Sequence, residues 1–164
     1  QVAHEFPVPG LAAGTAIRAS SRSHLGHYLA AGTPDGRVAL MQAVFTPRYE
    51  SETLAGLDVT IRDRGVAAVD PAGRPVREVS FFEQEGRKYV AAIVGDDEVA
   101  IWRTDDEGGE HQALVKVAPG RRVTHARVGR NGAVVAGTDS GHLYHWLFDE
   151  DVPRLTDVSP VASE

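Results

Sequence analysis

Hydrophobic and polar positions alternate along most of this chain, in short runs cut by glycine, proline and aspartate. Residues 28–32 read "YLAAG", 89–93 "YVAAI" and 133–137 "AVVAG"; a polar turn follows each, "TPDG" (33–36), "VGDD" (94–97) or "TDSG" (138–141). An alternating segment comes next, in which Val38 and Leu40, Val99 and Ile101, or Leu143 and His145 share one side, closed by Met41, Trp102 or Trp146. Period-two alternation, bounded by residues that accept a positive or fixed φ, predicts a tight β-hairpin with one buried face each time. The three units align without a gap, with Ala31, Ala92 and Ala136 in the same place at spacings of 61 and 44 residues.

Further strands flank each hairpin. Before it lie "TAIRAS" (15–20), "REVSFFE" (77–83) and "THARVGR" (124–130); after it come segments ending on a Val-x-Pro step, "AAVDP" (67–71), "LVKVAP" (114–119) and "LTDVSP" (155–160). Proline suits a strand end, where no ladder hydrogen bond is lost. Four strands per unit of about 40–45 residues is the period of a β-propeller blade. The chain is therefore expected to be all-β, a partial β-propeller of about three four-stranded blades, at about 15–71, 76–119 and 123–160. "HEFPVPG" (4–10) reads as a stray last strand of a preceding blade. The first unit is longer by "TPRYESETLAGLDVTIRDRG" (46–65), an extended hairpin, an insertion, or room for a hidden fourth blade. A β-sandwich is the rival architecture for short strands with frequent turns. No window carries a helical apolar stripe, and 17 Gly and 9 Pro punctuate the chain.

Composition narrows the function classes. Net charge is −6, with 17 Lys+Arg against 23 Asp+Glu, which gives nucleic acid no basic footprint. There is no cysteine, hence no disulfide and no thiolate-bound zinc. No apolar run is long enough to cross a bilayer as a helix, and "QVAHEFPVPG" has no signal-peptide pattern. The chain begins at Gln1, which suits a processed protein or a piece of a longer one. Propellers close with four to eight blades, so about three blades imply a segment of a larger ring, or two copies pairing through open blade edges.

"VAAIVGDDEVAIWRTDD" (90–106) and "VVAGTDSGHLYHWLFD" (134–149) resemble the WD40-type repeat, with its small-residue strand, Asp/Gly turn and Trp-terminated strand. The chain departs from that pattern in having no Trp-Asp dipeptide, and Gly26-His27 and Gly141-His142 sit elsewhere in the repeat. "GHLYHWLFDEDVPRLTDVSPV" (141–161), with "GDDEVAIWRTDDEG" (95–108) before it, also resembles the large extracytoplasmic region of bacterial phosphate-type ABC transporter permeases. That second resemblance implies a periplasmic module tethered to the inner membrane, with other permease domains or a solute-binding protein as partners.

The sequence carries no convincing catalytic or metal constellation, and no cofactor is expected. His24/His27 fall in a loop without a neighbouring carboxylate, and His142/His145 fall on a strand, where residues three apart face opposite ways. Asp96–Asp97 and Asp105–Asp106 are adjacent acids of the kind that diverge into water rather than oppose each other across a glycosidic bond. No Gly-x-Ser-x-Gly elbow occurs, and "GLAAG" (10–14) lacks the Lys-Ser/Thr of a phosphate-binding loop. The one candidate site is a rim of loops. Entry loops "PAGRPVR" (71–77) and "APGRRVTH" (118–125) bring Arg74, Arg77, Arg121, Arg122 and His125 to the same edge as Asp35, Asp96, Asp97 and Asp139. Arginines there would hold a small anion or an acidic protein patch. The reading is a non-catalytic binding module. The alternatives are a free-standing cytoplasmic WD40-like scaffold and a propeller enzyme acting on glycosides.

Overall fold

A computed structural model describes residues 7–12, 15–17, 19–22, 27–104, 110–117, 120–148 and 153–156. Among them the strands form three antiparallel four-stranded meanders. The first contains β1 (Ala19–Arg22), β2 (Tyr28–Gly32), β3 (Arg37–Glu50) and β4 (Thr53–Ala68). The second contains β5 (Val76–Gln84), β6 (Arg87–Val94), β7 (Glu98–Thr104) and β8 (Glu110–Lys116). The third contains β9 (Val123–Val128), β10 (Val134–Thr138), β11 (Leu143–Trp146) and β12 (Arg154–Thr156). The only helical turn among the described residues is a 3-10 turn at Arg130–Gly132.

The sheets stack as blades around an axis. Their first strands, β1, β5 and β9, touch in succession, and each sheet runs outward from there in chain order. Two cores fill the gaps between sheets. Tyr28, Ala30, Val38 and Leu40 of the first sheet meet Val79, Phe81, Val90, Ala92 and Trp102 of the second. From the second sheet's other face, Tyr89, Ala91, Ile93, Val99 and Ile101 meet Val128, Val134, Ala136, Tyr144 and Trp146 of the third. This three-layer arrangement is a partial β-propeller and excludes the two-sheet sandwich.

Two expectations change. Each hairpin was expected to bury one face, yet β6 is buried at every position after Arg87. The reason is architectural: a middle blade packs on both sides, so small Ala91 and Ala92 and large Tyr89 and Ile93 all lie inside. Near the amino end, residues 7–12 hold a turn, with Leu11 N donating to Val8 O at 3.4 Å, rather than the expected strand; residues 4–6 lie outside the described residues. That turn lies on the outer sheet strand of the first blade, where a Cβ on Gly10 would stand 2.6 Å from Val66 Cγ2. The extra stretch at 46–65 is an extended β3–β4 hairpin, with no additional blade in it.

Candidate functional site: the loops between blades

The loops at one end of the sheets are tied by a set of backbone hydrogen bonds that occurs twice. The first residue of an inner strand donates to the hairpin turn of the preceding blade: Val76 N to Thr33 O at 3.0 Å, and Val123 N to Asp96 O at 2.7 Å. The next blade's own hairpin turn donates to its entry loop, Gly95 N to Pro75 O at 3.3 Å and Asp139 N to Arg122 O at 3.0 Å. The residue ending each outer strand donates to the turn beside it, Val69 N to Gly36 O at 2.9 Å and Val117 N to Asp97 O at 3.0 Å. Loop backbone that would otherwise be buried unpaired is satisfied this way at both junctions. Gly36 is required there: its φ is +77°, and a Cβ would press on Asp70 O at 3.1 Å.

The hairpin turns of the first and third blades share a side-chain device. Thr33 N and Thr138 N donate to Arg37 O and His142 O at 2.9 and 3.0 Å. Their hydroxyls accept from Arg37 N and His142 N at 3.1 and 3.2 Å, closing the turn from the side. Asp35 sits in the first of these turns, where the Arg37 guanidinium (Nε to Oδ2, 2.9 Å) and the Thr33 hydroxyl hold its carboxyl below the usual carboxylate range.

The five predicted site residues separate into four groups. Arg74 is fully engaged: its Nε and Nη2 donate to the two oxygens of Asp70 at 2.9 and 3.0 Å, and Nη2 also meets Glu98. The Asp70 side chain is only 1% exposed, and it accepts from Arg74 N at 2.7 Å as well. These bonds to Arg74 outweigh desolvation and hold the Asp70 carboxyl down at about 2, while Asp70 and Glu98 raise the Arg74 guanidinium. Arg77 is a staple, donating to Gly95 O (3.0 Å), Asp96 Oδ1 (3.0 Å) and Val123 O (2.9 Å), and so joining two blades and a turn. His125 stands apart, its Nδ1 3.2 Å from Glu78 Oε2, in a cluster completed by Arg127 along the inner strands.

Arg121 and Arg122 do come together. With Asp96, Asp97 and Gly120 they line a cavity of about 370 Å³ at the junction of the second and third blades. Its counterpart at the first junction, about 480 Å³, is lined by Pro34, Pro75, Val76 and Arg77. Arg122 lies 3.7 Å from Asp96, and Lys116 lies 3.1 Å from Asp97, so both acids of the turn are paired rather than simply solvated. Arg121 Nη1, by contrast, is shielded from solvent and meets no hydrogen-bond partner among the described residues.

The repeat explains that difference. Val76 and Val123 play the same part, so "GRPV" (73–76) and "GRRV" (120–123) superpose and Arg121 is the counterpart of Arg74. Gly95 and Asp139 likewise correspond, which places His142 where the first junction has Glu98. Val69 and Val117 correspond, so Ala118 follows where Asp70 does. Arg121 has thus lost both carboxylates that Arg74 uses. The sequence reading missed Asp70 and Glu98; the signal was this loop-to-loop alignment, visible once the repeat is extended past the hairpins.

His142 Nδ1 lies 3.1 Å from Ser140 O and 3.2 Å from Ser140 Oγ, a local turn contact. No group of three metal-ligating side chains occurs among the described residues, and His24, Asp105 and Asp106 lie outside them.

No protein family and no curated protein matches the sequence. Solved structures do match the fold. AztD from Citrobacter koseri, in its apo form, superposes with a TM-score of 0.55 at 17% identity over 87% of this chain and 35% of its own. The β-propeller domain of Myceliophteria thermophila Cps50 (Swd1) does so with a TM-score of 0.52 at 16% identity over 87% of this chain and 42% of its own. The chain therefore spans less than half the length of either neighbour.

Proposed function

We propose that this chain is a non-catalytic binding module whose inter-blade loops take up an anionic group, a carboxylate or a phosphate, at Arg121. One observation carries the reading: Arg121 lines a cavity, and one of its guanidinium nitrogens is shielded and meets no partner among the described residues, where its repeat counterpart grips an internal carboxylate. A buried donor without a partner costs about 1–3 kcal/mol, which an incoming acceptor recovers. Asp96 and Asp97 do not oppose this, because Arg77, Arg122 and Lys116 already neutralise them. Loops rather than strands do the binding, since the strands are consumed in building the blades.

The protein-level setting we propose is the extracytoplasmic part of a phosphate-type ABC transporter permease, periplasmic and tethered to the inner membrane, facing another permease domain or a solute-binding protein. The resemblance of residues 95–108 and 141–161 supports it. Membrane-spanning segments encoded on both sides of this chain are the expected finding, and a parent gene without any refutes this part.

The site itself is tested by thermal unfolding with inorganic phosphate or sulfate. An anion present at ten times its Kd should stabilise the fold by about 1.4 kcal/mol. Arg121→Ala should abolish that response without lowering stability in anion-free buffer. An unchanged melting temperature at millimolar anion, or a response that survives Arg121→Ala, refutes the site.

A further inference from the structure

The β3–β4 hairpin leaves the blade. The last β2–β3 pair is Tyr28↔Gln42, and beyond it Ala43–Glu50 pairs only with Thr53–Ile61. At about 3.3 Å per residue this ribbon projects roughly 25 Å. Its two faces differ sharply. Paired residues share a face, so Ala43/Ile61, Phe45/Val59, Pro47/Leu57 and Tyr49/Leu54 make one side, while Val44/Thr60, Thr46/Asp58, Arg48/Gly56 and Glu50/Thr53 make the other, polar but for Val44. The apolar side is open: Phe45 is 48% exposed, Tyr49 62%, Leu54 56% and Leu57 57%. A lone two-stranded ribbon is marginal in water, and this one also holds Ser51 and Glu52 at φ of 46° and 68° in its tip turn. Such a face calls for a cover.

We infer that the cover is a second copy of this chain, the two arms packing apolar face to apolar face in antiparallel overlap. The four exposed side chains present about 500 Å² per arm, so two arms bury about 1,000 Å², the lower bound of a specific interface. An arm of this length lets each tip reach the root of the other while the blades stay apart. The tip turn holds Ser51 and Glu52, and Ala43/Ile61 end the apolar face at the root, so antiparallel overlap sets each tip beside the other arm's root with the apolar pairs between them. The apolar face presents no Lys or Arg to an anionic headgroup, which disfavours a lipid surface. Strand addition is discouraged too. Ala43 N points away from β4, to His27 O at 2.7 Å, so the alternate positions on β3 aim at the same free edge, and there Pro47 has no N–H to offer.

Analytical ultracentrifugation across about 1–100 µM should show a concentration-dependent monomer–dimer equilibrium. Leu57→Asp should weaken it about tenfold or more with the blades' melting transition unchanged, whereas Thr46→Asp, on the polar side, should leave it alone. The native chain has no cysteine, so a Glu52→Cys/Ile61→Cys double variant, with Ile61 at the root of the apolar side, reports orientation. Tip and root lie roughly 30 Å apart within one arm, too far for an internal disulfide, and oxidation should give a linked dimer. A monomer throughout the range overturns the inference. So does a dimer that survives Leu57→Asp, a linked dimer from Glu52→Cys alone, or binding of the arm to phosphatidylcholine–phosphatidylglycerol vesicles in place of self-association.

Discussion

Replacing Asp70 by asparagine tests how the first blade junction is held. The carboxylate accepts from Arg74 N, Nε and Nη2 at 2.7, 2.9 and 3.0 Å, and from Ala72 N at 3.3 Å. Asparagine keeps the shape and one acceptor oxygen but turns an amide donor toward Arg74, so about half of these bonds fail. Charge-assisted bonds are worth about 1.5–3 kcal/mol each in a mutational comparison, but Arg74 is a third exposed and retains Glu98. The expected loss at neutral pH is about 2–4 kcal/mol.

The pH dependence separates the charge from the shape. The Asp70 carboxyl is held at about 2 in the fold against an ordinary 3.8. Its folded pKa is depressed, so its stabilisation is present above pH 3.8 and disappears as the pH falls through 2. After allowance for solvent around Arg74, that linkage amounts to roughly 1–2 kcal/mol. Urea unfolding followed by circular dichroism at pH 7, 4 and 2 should therefore show the gap between wild type and Asp70→Asn narrowing by that amount over the last interval. A gap below 0.5 kcal/mol at pH 7, or one that stays constant down to pH 2, refutes the assignment of Asp70 as the charged anchor of this loop.

Other outcomes follow from buried groups. Trp146 is fully buried and its Nε1 meets no partner among the described residues, so Trp146→Ala should cost about 3–5 kcal/mol but Trp146→Phe, which removes the stranded N–H, below about 2 kcal/mol by urea unfolding. Equal costs for the two would mean that the indole N–H is satisfied. Thr138→Val should cost about 1–2 kcal/mol through the lost turn-closing bonds, and a neutral result would remove the hydroxyl from the account.

The hairpins were legible because strand alternation and turn chemistry are local: "TPDG" and "TDSG" fold into the same closed turn wherever they stand. The blade count followed from the spacing of those hairpins. What a strand packs against is not local. β6 alternates no more weakly than β2, yet only its place between two sheets buries Lys88–Val94 on both sides. The arginines were found by type and loop, but their roles depend on groups that sequence distance conceals. Arg77 reaches 46 residues to Val123 O, and Arg74 reaches 24 to Glu98. His125, paired with Gly137 on β10, stands beside Glu78 of the neighbouring inner strand, 47 residues away in sequence, rather than with the rim arginines.

The two junctions show why a binding site can sit at one of them without cost to the fold. Both are tied by main-chain bonds of the same kind, with the acceptor for the inner strand moved from Thr33 to Asp96, so the second junction keeps a main-chain anchor where it lacks the carboxylates. At the first junction Asp70 and Glu98 fill the role of ligand to the arginine, and the loop is closed by the chain's own charges. At the second, the aligned sequence has Ala118 and His142, and Arg121, which lines a cavity, keeps one nitrogen without a partner among the described residues. An arginine retained without its acids is a poor stabilising element, because desolvation is paid with no return. It makes sense as a receptor for an acid supplied from outside, which would occupy the position that Asp70 takes one blade earlier.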